Sequence, residues 1–243
     1  MRRTVAPQLP LALRYPPDQR FEAFIGAPPG VLSQLRALAI DAGSDWLYLA
    51  GPPGAGKTHL ALASCAAAEA AGRSAAYIPL KTASGRLGAA LDALEGRAVV
   101  ALDGLEAVAG QREDEVALFD FHNRARTAGV ALLYTATLAP DALPLVLPDL
   151  RSRLSQCARI VLSPLDDVGR REVLRERAQR RGLVLDEAAL DWLLRRVGRD
   201  LGGLTALLDE LDRASLAAQR RVTVPFLRQA LGERGIDRGA SGA

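Results

Sequence analysis

One octapeptide constrains this chain more than anything else in it. Gly51-Pro52-Pro53-Gly54-Ala55-Gly56-Lys57-Thr58 fits the pattern G-x-x-x-x-G-K-[ST]. It follows an apolar run, WLYLA at 46–50, and precedes a helix-forming stretch at 57–71. Glycines let backbone N–H groups curl around a phosphate with no Cβ in the way. A helix opening near Lys57 aims its positive dipole end at the same anion. The Lys57 ammonium then reaches the outer phosphates, and the Thr58 hydroxyl can ligate Mg²⁺. The bland reading, a glycine-rich turn with a chance Lys-Thr, fails to explain why strand and helix flank it in the required order.

The rest of the chain agrees with that opening. Further apolar runs at 75–80, 98–103, 130–136 and 158–162 read as buried strands. Helical spacing is found at 31–42, 57–71, 83–94, 114–127 and 141–154. Strands alternating with helices imply a parallel sheet covered on both faces, hence an α/β fold. After Leu162 the pattern becomes purely helical, at about 167–181, 186–197, 201–219 and 224–231, with Gly182 and Gly198 placed as C-terminal caps. We therefore expect an extended arm at 1–17, an α/β domain at 18–164, a helical domain at 165–232 and a tail at 233–243. The arm carries Pro7, Pro10, Pro16 and Pro17, which forbid a regular helix or a central strand.

Composition excludes several classes. A chain of 243 residues, 49% apolar and 24% charged, has the profile of a soluble globular protein. With aromatics at 5%, the core must be built mainly from Ala, Leu and Val. The net charge of +3 is too small for a histone-like or disordered basic protein, and all but two of the basic residues, Lys57 and Lys81, are arginines. Two cysteines, Cys65 and Cys157, are too few for a disulfide scaffold or a closed zinc site. The most apolar stretch, 130–148, is broken by Pro140, Asp141 and Pro144, so no membrane span of about 20 residues is expected. The N-terminal residues fit a signal peptide poorly. The expected location is the cytoplasm.

A phosphate loop needs an acid on a neighbouring strand to hold magnesium, and Asp103 ends the run AVVALD. The plainer alternative is a strand-end Asp opening a turn with Gly104. Many ATPases with this loop follow that acid with a second carboxylate that orients the attacking water. Here Gly104 stands in its place, and Glu106, two residues further, is placed by nothing in the sequence. Thr135 and Thr137 end the fourth strand and could face the γ-phosphate, or simply solvent. His59 and His122 have no metal-ligand spacing and are read as packed side chains. Between the fourth and fifth strands, LPDLRSRL carries Arg151 and Arg153. Residues two apart cannot share one helix face, so at least one should point outward.

The order of the phosphate loop, AVVALDGLEAVAG, VALLYTAT, LPDLRSRL and LLDELDRASLAAQRRVTVPFLRQAL resembles AAA+ proteins of the DnaA replication-initiator group, above all its regulatory, DnaA-inactivating members. The resemblance runs from Gln8 to about Leu231. It implies a five-stranded parallel sheet of order 5-1-4-3-2 with a helical lid. It implies ADP or ATP with Mg²⁺ as cofactors, held by Gly51, Pro52, Pro53, Gly54, Ala55, Gly56, Lys57 and Thr58, with Thr58 and Asp103 at the metal. It makes Arg153 an arginine finger acting in trans on nucleotide held by DnaA. It also makes Gln8-Leu9-Pro10-Leu11-Ala12-Leu13 a motif for the DNA polymerase III sliding clamp (beta subunit), with Gln8, Leu9, Leu11 and Leu13 as contacts and DNA reached indirectly through the clamp. An amide-headed arm with spaced leucines and prolines suits an apolar groove, since its ordering entropy is already reduced.

The chain departs from the family at the missing second acid and at Gly202, where the third lid helix generally carries a nucleotide-sensing arginine. The expectation is an activator of a partner's ATPase with weak or no turnover of its own. The alternative is an ATPase of helicase-loader or remodelling type. An autonomous DNA-reading initiator is disfavoured, because about ten residues follow the last expected helix. Self-association is left open.

Overall fold

The computed structural model describes residues 19–180 and 182–197, together with 224, 225 and 227. The arm with Gln8, Leu9, Leu11 and Leu13, the stretch 201–219, most of 224–231, the tail, and Gly198, Gly202 and Gly203 lie outside the described residues.

Five strands form one parallel sheet: β1 (Leu47–Ala50), β2 (Ala75–Pro79), β3 (Val99–Asp103), β4 (Ala131–Ala136) and β5 (Ala158–Val161). The spatial order is β2-β3-β4-β1-β5, which is the expected 5-1-4-3-2 read from the other edge. β1, β3 and β4 pair on both sides and are wrapped on both faces, which is why they read as unbroken apolar runs. Side-chain alternation sends Leu47, Leu49, Val99, Ala101, Ala131 and Leu133 to one face. There α1 (Val31–Ile40) and α2 (Lys57–Ala70) cover them. Tyr48, Val100, Leu102, Leu132 and Tyr134 point to the other face. That face is covered by α3 (Leu80–Ala83), α4 (Leu87–Asp92), α5 (Arg112–Thr127) and α6 (Pro148–Ser155). Alanine suits α2, whose buried residues include Ala61, Ala63, Ala66 and Ala68, because a short side chain lets the helix lie close on the sheet.

Beyond the sheet, α7 (Asp167–Arg180) and α8 (Glu187–Val197) enclose a small apolar core with Leu174, Leu190, Leu193 and Leu227. Asp166 caps the start of α7 by accepting the Gly169 N–H at 2.7 Å, and Asp186 does the same for α8 through Ala189 at 2.7 Å. Gly182, at φ +69°, turns the chain after α7, and the Leu183 N–H returns to the Ala178 carbonyl at 2.9 Å. Arg171 and Arg175 on α7 both bond Glu187 at 2.9 Å, and Arg171 also pairs with Asp191.

Two expected helices are corrected. The stretch 83–94 is interrupted at Gly85, which adopts φ +79°, so α3 and α4 are separate short helices. The stretch 141–154 is helical only from Pro148; residues 141–147 form turns. Two buried acids on the first turn of α5 account for both. Asp114 accepts the N–H groups of Gly85 (2.7 Å) and Leu87 (3.3 Å), which holds the start of α4. Glu115 is 0% exposed and accepts the N–H groups of Gly110 (2.7 Å), Val146 (3.0 Å) and Leu147 (2.7 Å). Amides that a longer α6 would have turned inward are thus held by a carboxylate. Pro144 has no N–H to offer such a helix, and Pro148 is preorganised for its first turn.

Removing Glu115 leaves three backbone donors without an acceptor. Glu115→Ala is expected to lower the unfolding free energy by about 3–5 kcal/mol, to be read from urea denaturation; a loss under about 1 kcal/mol would refute this account of α6.

Candidate nucleotide site

The loop 51–56 leaves β1 and enters α2 through Gly56, which takes φ +89° as the residue before the first turn. A Cβ on Gly56 would also lie 2.5 Å from the Phe24 ring, so neither the backbone nor the space admits another residue. Gly51 is constrained by space alone: a Cβ there would sit 2.6 Å from the Leu162 carbonyl oxygen. The Lys57 ammonium lies over the loop and donates to the carbonyls of Gly51 (2.5 Å) and Pro52 (3.0 Å). Partial burial pulls its pKa down, and the carboxylates of Glu106 and Asp103 oppose that shift.

Asp103 is the hub of the site. Its Oδ2 accepts the hydroxyls of Thr58 and Tyr77, both at 2.8 Å, and its Oδ1 accepts the Thr135 hydroxyl at 2.5 Å. The sheet register sets this up: Asp103 pairs with Pro79 on β2 and with Thr135 on β4 at the same C-terminal edge. Thr135 is fully buried and also accepts the Gly104 N–H at 2.9 Å. Its hydroxyl thus holds the acid in place, and Thr135 and Thr137 both line the cavity beyond. Tyr77 was not legible as a site residue; its phenol pKa is raised by burial and then by the Asp103 charge beside it. The signal that could have revealed it is β2–β3 register, which no single strand carries.

Glu106 enters this site. It follows the strand on a single 3₁₀ turn, Leu105–Ala107, and its Oε2 accepts the Thr137 N–H at 3.1 Å. A cavity of about 430 Å³ contains the loop, Lys57, Thr58, Asp103, Glu106 and Thr137. Its wall is apolar at Phe24, Ile25, Pro28, Leu165 and Val173, and Arg177 of α7 borders it. Both the α/β part and the first lid helix therefore line it.

These donors fit a magnesium nucleotide. The loop amides and Lys57 form a cationic end for phosphates, and the apolar wall suits a flat base. Thr58 and Asp103 offer a hydroxyl and a carboxylate oxygen, the hard ligands Mg²⁺ takes alongside phosphate oxygens. No group of three or more His, Cys, Asp or Glu is arranged to hold a metal among the described residues, so an ion there would depend on the phosphates. Bound nucleotide supplies the phosphoanhydride; the chain supplies binding, orientation and the carboxylates described.

The two arginines of α6 are separated by their partners. Arg151 folds back and donates to the Leu145 carbonyl at 2.6 Å. Arg153 is half-buried and donates no side-chain hydrogen bond among the described residues. Neither lines the cavity of their own chain. Arg153 lies near enough to His122 to help lower its pKa, which burial first and Arg126 next depress to about 4. His122 is fully buried, bonded through Nδ1 to the Tyr134 hydroxyl at 3.0 Å and packed on the edge of Trp46. His59 contacts the Arg20 carbonyl at 2.8 Å and Phe24. Cys65 and Cys157 are buried and form no disulfide. No helix among the described residues is long and apolar enough to cross a membrane.

The family model for IstB-like ATP binding proteins matches residues 3–135, more than half of the chain. The chain belongs to that family. A second family model, for the lid domain of Hda, matches residues 167–231. Solved structures share the fold. Domain III of the Thermotoga maritima replication initiation protein DnaA superposes with a TM-score of 0.74 at 19% identity, covering 91% of this chain and 98% of that one. AMPPCP-bound DnaA from Aquifex aeolicus gives 0.66 at 18% identity, covering 93% and 69%. The Thermotoga maritima RuvB Holliday junction branch migration motor gives 0.60 at 19%, covering 88% and 71%. The chain thus joins an IstB-like ATP-binding region to a segment similar to the Hda lid, on a fold shared with DnaA and RuvB.

Lys57→Ala should weaken binding of a fluorescent ADP analogue by about tenfold or more. Asp103→Ala should remove the dependence of binding on added Mg²⁺. Both are read by equilibrium titration with and without chelator.

Proposed function

We propose that this chain is a nucleotide-bound regulator of replication initiation that activates ATP hydrolysis by the initiator DnaA. Arg153 carries the reading. It is a guanidinium on α6 with no hydrogen-bonded partner among the described residues, and it does not line its own chain's cavity, whereas its neighbour Arg151 is held by Leu145. An arginine so arranged is free to stabilise charge on phosphates held by another subunit. The Hda-like lid and the DnaA-like fold favour DnaA as that partner. In this scheme ADP or ATP with Mg²⁺ sits between the two parts of the chain and sets their relative angle, since residues of both line the cavity. The arm at 1–17, headed by Gln8 with Leu9, Leu11 and Leu13, tethers the module of 18–164 and lid of 165–232 to the sliding clamp on DNA. The reading places the protein in the cytoplasm.

A second reading is an ATPase that loads or remodels a partner. It is favoured by membership of the IstB-like ATP-binding family and by a carboxylate, Glu106, inside the cavity.

The test measures ATP hydrolysis by DnaA in the presence of clamp loaded on DNA, with and without this chain. Arg153→Ala should reduce the stimulation by about 100-fold or more, and Arg151→Ala should leave most of it. Equal stimulation by Arg153→Ala and wild type would sink the mechanism. Separately, Gln8→Ala should lose binding to immobilised clamp; unchanged binding would remove the arm from the scheme.

A further inference from the structure

The geometry points to Glu106 as the general base of a hydrolysis that this chain performs on its own nucleotide, in the place of the second acid absent at position 104. Among the described residues Asp103 and Glu106 are the two carboxylates that line the cavity. Asp103 is already engaged: three hydroxyls, from Thr58, Tyr77 and Thr135, occupy its two oxygens. It is suited to holding a cation and poorly suited to taking a proton from water. Glu106 has one oxygen held by the Thr137 N–H at 3.1 Å, which fixes the carboxylate against the end of β4 and leaves Oε1 for a water. Glu106 lines the same cavity as the phosphate loop, Lys57 and Thr58.

The backbone explains the displaced position. Gly104 takes φ +87° and ψ +60°, a left-handed conformation that a carboxylate-bearing residue adopts only under strain. A Cβ there would meet nothing within 4 Å, so the glycine serves the turn and not the space. The turn passes into the 3₁₀ segment Leu105–Ala107, with the Ala107 N–H bonded to the Gly104 carbonyl at 3.0 Å. One such turn brings Glu106 back over the cavity. In the step, water oxygen forms a bond to the terminal phosphorus of a nucleoside triphosphate. The bond from that phosphorus to the bridging oxygen breaks, nucleoside diphosphate leaves, and the water proton passes to the Glu106 carboxylate and on to solvent.

This activity needs only the chain's own site, so it is measured without DnaA or clamp and stands or falls apart from the trans role of Arg153. Glu106 is exposed, so Glu106→Gln is expected to fold, as its melting temperature will report. Wild type should hydrolyse ATP slowly but above the Lys57→Ala background. Glu106→Gln should lower that turnover by about 100-fold while binding ADP and a non-hydrolysable ATP analogue as tightly as wild type. A second readout is independent of turnover: the nucleotide each protein retains after incubation with ATP and desalting, identified by chromatography after denaturation. Wild type should yield ADP and Glu106→Gln should yield ATP. The assignment is overturned if wild type shows no turnover above Lys57→Ala, if Glu106→Gln turns over like wild type, if both proteins yield the same nucleotide, or if the variant's loss follows weakened binding.

Discussion

The site depends on one carboxylate held at the C-terminal edge of a parallel sheet. In such a sheet all strands finish on the same side, and each crossover helix starts there. Asp103 ends β3 between Pro79 of β2 and Thr135 of β4, and the loop after β1 delivers Thr58 to the same point. Three hydroxyls from three different elements converge on it. Hydrogen bonds to an ionised acceptor are about twice as strong as neutral ones, and sharing one acid makes the elements depend on each other. The phosphate loop is thus oriented by the strand two places away in the sheet as well as by its own glycines.

A second pair of buried acids organises the far side. Asp114 and Glu115 stand side by side on the first turn of α5, yet they hold different structures, the start of α4 and the segment that leads into α6. Buried carboxyl groups are tolerated there because each is met by two or more N–H donors. The run from Asp103 through Gly104, Glu106 and Gly110 to Glu115 is continuous in sequence and touches both the nucleotide cavity and the approach to Arg153. The proposed base, the metal-side acid and the support of the proposed finger lie within thirteen residues.

Much of this was legible in the linear chain because the periodicities are clean. All five strands fall within their expected apolar runs, and the central β1, β3 and β4 read most cleanly because they are covered on both faces. α2 begins at Lys57, as the glycine pattern requires. The failures share one cause. At 83–94 and 141–147 the apolar spacing is helical, but Gly85 and Pro144 interrupt it, and the amides nearby find acceptors on α5, which is distant in sequence. Helical spacing reports only which side chains are apolar; it carries no information about where a backbone N–H is satisfied.

The sequence by itself determined the chemistry available. A loop of glycines with Lys57 and Thr58 between a strand and a helix offers a phosphate cradle, and the run AVVALD offers an acid at the end of another strand. What the tertiary structure decided was which of several equivalent groups does what. Thr135 gives its hydroxyl to Asp103 while Thr137 gives its N–H to Glu106, and Arg151 is held by Leu145 while Arg153 is left without a hydrogen-bonded partner among the described residues. Glu106, unplaced by any motif, is brought to the cavity and anchored on Thr137. Residue type limits what a side chain can donate or accept, but its partner depends on strand register and on turns such as the one at Gly104. Those are set by the packing of the whole domain.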